Sequence, residues 1–188
     1  MKTRPPIAIL CAGGHAAHCI EIMRAAGASP FGAFDDAAPL DSKVLGVVVL
    51  GSIRDAFAMA AQAVVAIGTA DVRRAIATEW LAAGKELPNI VHPACVVATS
   101  ALVGRGCVID AGAVLDARAE VGDGVIIDAC TTIGHDARVG SWVHLESGAR
   151  VLPGAVVGSA AKIGANAVVP RNAVVPEGAV VPPGSVFG

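Results

Sequence analysis

The sequence predicts two folds in tandem, a small α/β domain followed by an all-β solenoid of stacked parallel strands. Three observations carry this reading. From Val97 to Val186 the chain divides without remainder into fifteen six-residue units, from VATSAL to VPPGSV. The first residue of every unit is Val, Ile or Leu, and the fifth is Ala, Cys, Val, Thr or Ser. Before Pro88 the period is absent, and short apolar runs alternate with helical stretches.

A fixed short period marks a repeat that buries its apolar face only by stacking on its neighbours. An aliphatic residue every sixth position, with a small residue four places on, suits a coil of three short flat strands. The aliphatic side chain fills the interior and the small one fits where the chain turns a corner. Three units close one triangular coil, so fifteen units predict five coils with no loop extruded. Gly, Asp and Pro at the second position suit the tight turns. Stacks of Val and Ala need few aromatics, and Phe and Trp together make up 3% of a chain that has no Tyr.

The first part of the chain reads differently. Ile7-Ala8-Ile9-Leu10 predicts a buried strand, Cys11-Ala12-Gly13-Gly14-His15 a turn, and Ala16 to Ala26 a helix ended by Gly27. Phe31-Gly32-Ala33-Phe34 predicts a strand delivering Asp35 and Asp36, and Val44 to Leu50 another. Ser52 caps a following helix, Ala63 to Ile67 forms a strand ending at Gly68-Thr69, and Asp71 to Ala83 a helix with Arg73 and Arg74 near its start. Strand, glycine turn, helix and an acid about twenty residues on make a Rossmann-like half. Glycines let the backbone approach a ligand, and a helix N-terminus offers N–H groups to phosphate or a sugar hydroxyl. Gly13-Gly14 is not a full GxGxxG, so a nicotinamide dinucleotide is not what the turn spells. A sugar nucleotide at Gly13, Gly14, His15, Asp35, Asp36 and Gly68 suits it better, and a tight turn with no ligand is the plain alternative. The expected boundaries are 1–88 for this domain and 89–188 for the solenoid.

Composition narrows the function. A net charge of −2 offers no basic field for nucleic acid or an anionic membrane. Five cysteines, an odd number without a CxxC pair, argue against a disulfide framework and a zinc ribbon and fit a reducing cytoplasm. Met1-Lys2-Thr3-Arg4-Pro5-Pro6 leads straight into the first strand, which predicts no secretory leader. The longest apolar stretch, Ala56 to Ala70, includes Gln62, Gly68 and Thr69 and falls short of a membrane span.

Two histidines lie in the solenoid, His135 and His144. His135 and Asp136 occupy the third and fourth places of their unit, outside the inward positions, so both should project from the prism. A histidine beside a carboxylate can act as general base near neutral pH, taking the proton that an amine or hydroxyl sheds as it attacks a thioester. A solvent-facing corner histidine is the alternative. Trp142, between the two histidines, suits either a subunit contact or an aromatic lying on the prism wall.

The six-residue pattern resembles the hexapeptide repeat of the left-handed parallel β-helix, whose members are mostly trimeric acyltransferases using acyl-CoA or acyl-carrier protein. More specifically, the chain resembles the sialic-acid O-acetyltransferase and bacterial nucleotide-amino-sugar N-acetyltransferase family (NeuD/PglD-like). The resemblance rests on Ala12-Gly13-Gly14-His15, Phe34-Asp35-Asp36, Ala66-Ile67-Gly68 with Arg73, Ile90-Val91-His92-Pro93, and Ile133-Gly134-His135-Asp136 followed by Val143-His144. It implies acetyl-CoA as co-substrate, a nucleotide-linked amino sugar as acceptor, and a homotrimer in which the N-terminal domain presents the sugar to a neighbour's solenoid. It further implies His135 as base with Asp136 supporting it, His144 beside the thioester, and Gly154 and Ala165 near CoA. The family usually carries a small residue and a glycine one coil-face after the second histidine, where a backbone N–H meets the thioester oxygen. Here Leu152-Pro153 stands there, and proline has no N–H. Family members also often carry Asn where this chain has Asp128, and they continue past the equivalent of Val186-Phe187-Gly188 to a segment near CoA.

Three readings stay open on the sequence. The first is acetyl transfer to a sugar amine, or its sister reaction on a hydroxyl. The second is a non-catalytic trimer that binds a nucleotide sugar and has a degraded CoA site. The third is a zinc hydratase, which needs three converging histidines where the repeats supply two.

Overall fold

The computed structural model describes residues 6–188; Met1–Pro5, on which the expectation of no leader rests, lie outside the described residues. The chain divides into two compact units, Met1–Ile90 and Val91–Gly188.

In the first unit, β1 (Ile7–Leu10) lies between β2 (Gly32–Phe34) and the edge strand β5 (Gln62–Val65), with both pairs parallel. β4 (Val47–Gly51) lies outside β2, and β3 (Lys43–Val44) closes that edge antiparallel to β4. The segment read as one strand from Val44 to Leu50 is thus a hairpin. Its turn residues Leu45 and Gly46 both take left-handed φ, 46° and 81°, the signature of a primed two-residue turn. Leu45 carries no hint of this, which is why the apolar run reads as one strand.

α1 (Gly14–Ala25) begins two residues earlier than its apolar pattern suggests. It ends as expected at Gly27, at φ 73°, where Ala28 N–H reaches back to the Met23 carbonyl at 2.8 Å. α2 (Ile53–Met59) starts from a capping box in which Ser52 and Asp55 satisfy each other's backbone donors. α3 (Ala70–Ala82) buries Ala77 and Trp80, with the indole N–H donating to the Glu86 carbonyl at 3.0 Å.

The second unit is a triangular prism of two-residue strands. Its first sheet stacks Ile90–Val91, Val108–Ile109, Ile126–Ile127, His144–Leu145, Lys162–Ile163 and Val180–Val181. The second stacks Val96–Val97, Val114–Leu115, Thr132–Ile133, Arg150–Val151 and Val168–Val169, and the third runs from Leu102–Val103 to Val174–Val175. Successive strands of a sheet pair parallel with partners one coil apart in sequence, as in Leu115↔Ile133. The stack begins with Ile90–Val91, earlier than the repeat starting at Val97.

First-position residues such as Leu115, Ile133, Val151 and Val169 line the interior with the small fifth-position residues Ala119, Ala137, Ala155 and Ala167. The second residue opens each turn, its carbonyl accepting from the fifth, as in Ala137 N–H to Gly134 at 3.2 Å. The left-handed residue is the fourth. From Gly106 to Gly184 every fourth position has φ between 56° and 73°, including Arg118, Cys130, Asp136 and Trp142. This is the geometry of a type II turn, which favours Gly or Asn there.

Candidate active site

In the first unit the chain leaves the sheet's carboxyl edge at three neighbouring points: Cys11–Gly14 after β1, Asp35 after β2 and Ile67–Thr69 after β5. Such an edge, where successive strands depart to opposite sides of β1, is where open α/β sheets take ligands. Gly13, Gly14, His15, Asp35 and Gly68 are therefore brought to one edge. Cys11 holds φ at 104°, a conformation a non-glycine residue adopts only when its surroundings impose it.

Asp35 is that surrounding. Its Oδ2 accepts from Ala12 N–H at 2.7 Å, and its Oδ1 accepts from Ala37 and Ala38 N–H, each at 2.8 Å. Burial pushes the carboxyl up, but these backbone donors outweigh it and hold Asp35 below the usual range. Burial, together with nearby Asp35, pushes the Cys11 thiol up. Asp36 Oδ1 accepts from Ile53 N–H at 2.9 Å, at the start of α2. Both acids thus shape the loops around a small cavity of about 260 Å³ that they line with Leu40, Gly51 and Ser52. Arg73, only 2% exposed, donates from Nη1 to the Ile67 and Gly68 carbonyls at 2.9 and 2.6 Å and fixes the third loop.

In the solenoid, His135 and Asp136 sit at the corner between the second and third sheets, and both are partly exposed. His135 Nδ1 meets Asp136 Oδ2 at 2.7 Å. Arg118, one coil earlier in the same corner, grips both oxygens of Asp136: Nε to Oδ1 at 2.6 Å and Nη2 to Oδ2 at 2.8 Å. The Arg118 guanidinium and then His135 hold the Asp136 carboxyl well below the usual carboxylate range. An ionised carboxylate only accepts, so Nδ1 carries a proton, and in the neutral ring it is Nε2 that has the lone pair.

His144 lies on the first sheet and turns to the corner between the first and second sheets, where its Nε2 meets Asp128 Oδ2 at 2.8 Å. The aspartate standing where the family often has Asn is therefore this histidine's partner. One coil on, Glu146 pairs with Lys162 at 2.7 Å and accepts from Ala165 N–H at 2.9 Å. Lys162 first and then that N–H hold Glu146 below its usual range, against burial. His135 and His144 thus belong to different corners, and one chain does not bring them together by any contact among the described residues.

Pro153 sits one coil after His135 in the same corner, with its ring on Gly134. At equivalent third positions, Ala117 and Ala165, the backbone N–H donates to a side-chain carboxylate and not to the sheet ladder. This is the spare donor of each turn, and proline removes it beside His135. Gly154 N–H is committed to the His135 carbonyl at 3.1 Å. Trp142, at the corner between the third and first sheets, lies over Gly124 of the preceding coil. Among the described residues no three His, Cys, Asp or Glu side chains form a group able to hold a metal, and all five cysteines are free thiols.

Residues 6–80 match the family defined by the PglD N-terminal domain. A crystal structure of PerB from Caulobacter crescentus, in complex with CoA and GDP-perosamine, aligns at a TM-score of 0.91 and 30% identity, covering 99% of this chain and 90% of that one. The chain belongs to the PglD-like family. A histidine-to-asparagine mutant of perosamine N-acetyltransferase from the same organism, with CoA and GDP-perosamine, aligns at a TM-score of 0.93 and 29% identity over 99% of this chain and 90% of that one. The acetyltransferase domain of PglB from Neisseria gonorrhoeae, in complex with acetyl coenzyme A, gives 0.93 and 29% over 99% and 92%. No curated protein sequence matches. As a PglD-like protein the chain carries the hexapeptide solenoid in its left-handed form, an α/β domain preceding the β-helix. No helix among the described residues of this PglD-like chain is long and apolar enough to cross a membrane.

Two functional candidates were missed in the sequence, Arg118 and the pairing of Asp128 with His144. The signal was there in part: Arg118 precedes Asp136 by one full coil at the same turn position, which the repeat places in register.

Proposed function

We propose that this protein transfers acetyl from acetyl-CoA to the amino group of a nucleotide-linked sugar, as a step in surface glycan synthesis. The observation that carries the reading is the His135–Asp136 pair, whose geometry leaves Nε2 of an accessible imidazole free. It stands in a chain that aligns over nearly its whole length with proteins captured with CoA and GDP-perosamine. The amine nitrogen attacks the thioester carbon, the new C–N bond forms and the C–S bond breaks. His135 Nε2 takes the amine proton, and CoA leaves as its thiolate. Asp136 stabilises the imidazolium that forms, while Gly13, Gly14, His15 and Gly68 hold the nucleotide sugar and Asp35 and Asp36 shape its cradle.

Acetyl-CoA would lie along the solenoid near His144 and Ala165. Because His135 and His144 sit at different corners, a homotrimer that sets one chain's corner against a neighbour's supplies a complete site. Such an enzyme works in the cytoplasm, where both substrates are made. The N-terminal unit, Met1–Ile90, would be the sugar-nucleotide domain and Val91–Gly188 the acetyl-transfer domain. A non-catalytic nucleotide-sugar-binding protein is the second reading, favoured by Pro153 and by the committed N–H of Gly154.

Mass analysis of products from acetyl-CoA with GDP- and UDP-linked amino sugars tests the proposal. Turnover should fall about a hundred- to ten-thousandfold in His135→Ala, with melting unchanged. A calorimetric titration showing no heat with acetyl-CoA up to millimolar concentration would give the second reading the ground.

A further inference from the structure

We infer that Arg118 is a positioning residue for acetyl transfer, acting through Asp136 to fix which nitrogen of His135 is free. This rests on the proposed base role of His135. Arg118 and Asp136 occupy the same left-handed turn position one coil apart, at φ 58° and 61°. The coil spacing therefore stacks their side chains directly.

The contact is bidentate, 2.6 and 2.8 Å, so it sets the plane of the carboxylate as well as its position. Arg118 is itself anchored, its N–H donating to Ser100 Oγ at 3.1 Å one coil earlier. Asp136 is half-exposed, and alone its side chain would turn freely in water. Held by Arg118, it presents Oδ2 to His135 Nδ1 at 2.7 Å. The neutral ring is thereby kept in the Nδ1–H form with Nε2 unprotonated, whereas an imidazole in water favours the opposite tautomer. Which nitrogen carries the proton is set by the bond the other one makes.

Among the described residues, no other guanidinium or ammonium pairs with Asp136. Pro153 and Gly154 of the next coil bring no charge, and Ala117 lies in the coil before. Asp116 is acidic and attracts Arg118. Arg138, on the following strand, pairs with Glu120.

Long-range proton–nitrogen correlation spectra of the full chain above neutral pH report the tautomer directly, with His135 assigned from His135→Gln. Wild type should show Nδ1–H. Arg118→Met should show a mixture weighted to Nε2–H, and kcat should fall roughly ten- to hundredfold with both KM values unchanged. Arg118→Lys should recover part of each, because one ammonium cannot make the two parallel bonds. If Arg118→Met fails to fold, Arg118→Gln decides the same two readouts. An Nδ1–H ring in the variant overturns the inference, as does a lost tautomer with unchanged kcat. A wild type that transfers no acetyl overturns the base role instead, and the spectra still show whether Arg118 sets the tautomer.

Discussion

Gly134, within the Ile133-Gly134-His135-Asp136 motif, is expected to be a spacing residue and not a ligand contact. A Cβ built there stands 2.7 Å from both Pro153 N and Cδ, and 2.9 Å from Cγ, whereas ordinary contact begins near 3.4 Å. The turn must therefore open by about 0.7 Å against a proline ring that has no soft torsion to yield. Two backbone bonds hold that spacing, Gly134 N–H to the Val151 carbonyl at 2.8 Å and Gly154 N–H to the His135 carbonyl at 3.1 Å. Overpacking costs about 1–3 kcal/mol and each weakened bond up to about 1 kcal/mol, so Gly134→Ala should cost about 2–4 kcal/mol. For a chain of this size that is a fall of roughly 5–12 °C in melting temperature. The assay is thermal unfolding by circular dichroism at one fixed protein concentration, since any assembly makes melting concentration-dependent. Gly178→Ala is the control, because its φ of 66° imposes the left-handed cost with no atom within 4 Å. That substitution should cost about 1 kcal/mol, or roughly 2–4 °C. If Gly134→Ala melts no lower than Gly178→Ala yet abolishes acetyl transfer, the glycine serves ligand approach and the packing argument is wrong.

Two other predictions concern the same corners. Pro153→Ala restores the spare N–H of its turn. Removing one oxyanion donor typically costs about a hundred- to a thousandfold, so kcat should rise at least about tenfold in steady-state assays; an unchanged kcat would mean that this N–H has no part in transfer. Glu146 is held below its usual range chiefly by Lys162, so its stabilisation is complete above the unfolded value near about 4.3 and drains away as pH falls through the folded one. Melting of Glu146→Gln should lie below wild type by a constant margin above about pH 5, and that margin should shrink under acid. A margin that ignores pH would remove the ion pair from the account.

The repeat by itself determined the solenoid. A first-position aliphatic and a small fifth residue can be satisfied together only if every unit makes the same turn, so fifteen matching units leave no other packing. The same regularity placed His135 and Asp136 side by side on a corner, because adjacent positions three and four lie outside the buried set. The strand–glycine–helix order with Asp35 likewise marked the Rossmann-like edge. Local chemistry misled where one residue adopted a conformation its type disfavours. Leu45 at left-handed φ split an apolar run into a hairpin.

What only the tertiary structure decided are the relations between coils. Arg118 and Asp136 are far apart along the chain, yet the coil stacks them within a bidentate contact. Asp128 reaches the second histidine, not the first, because pairing follows the sheet and not the sequence. Asp35 and Asp36, read as ligand-binding acids, are occupied with backbone donors whose positions depend on three separate strands and a helix start. A six-residue period fixes which side chains point outward. The parallel register between coils fixes which of them meet, and it is set by backbone hydrogen bonds along the whole stack.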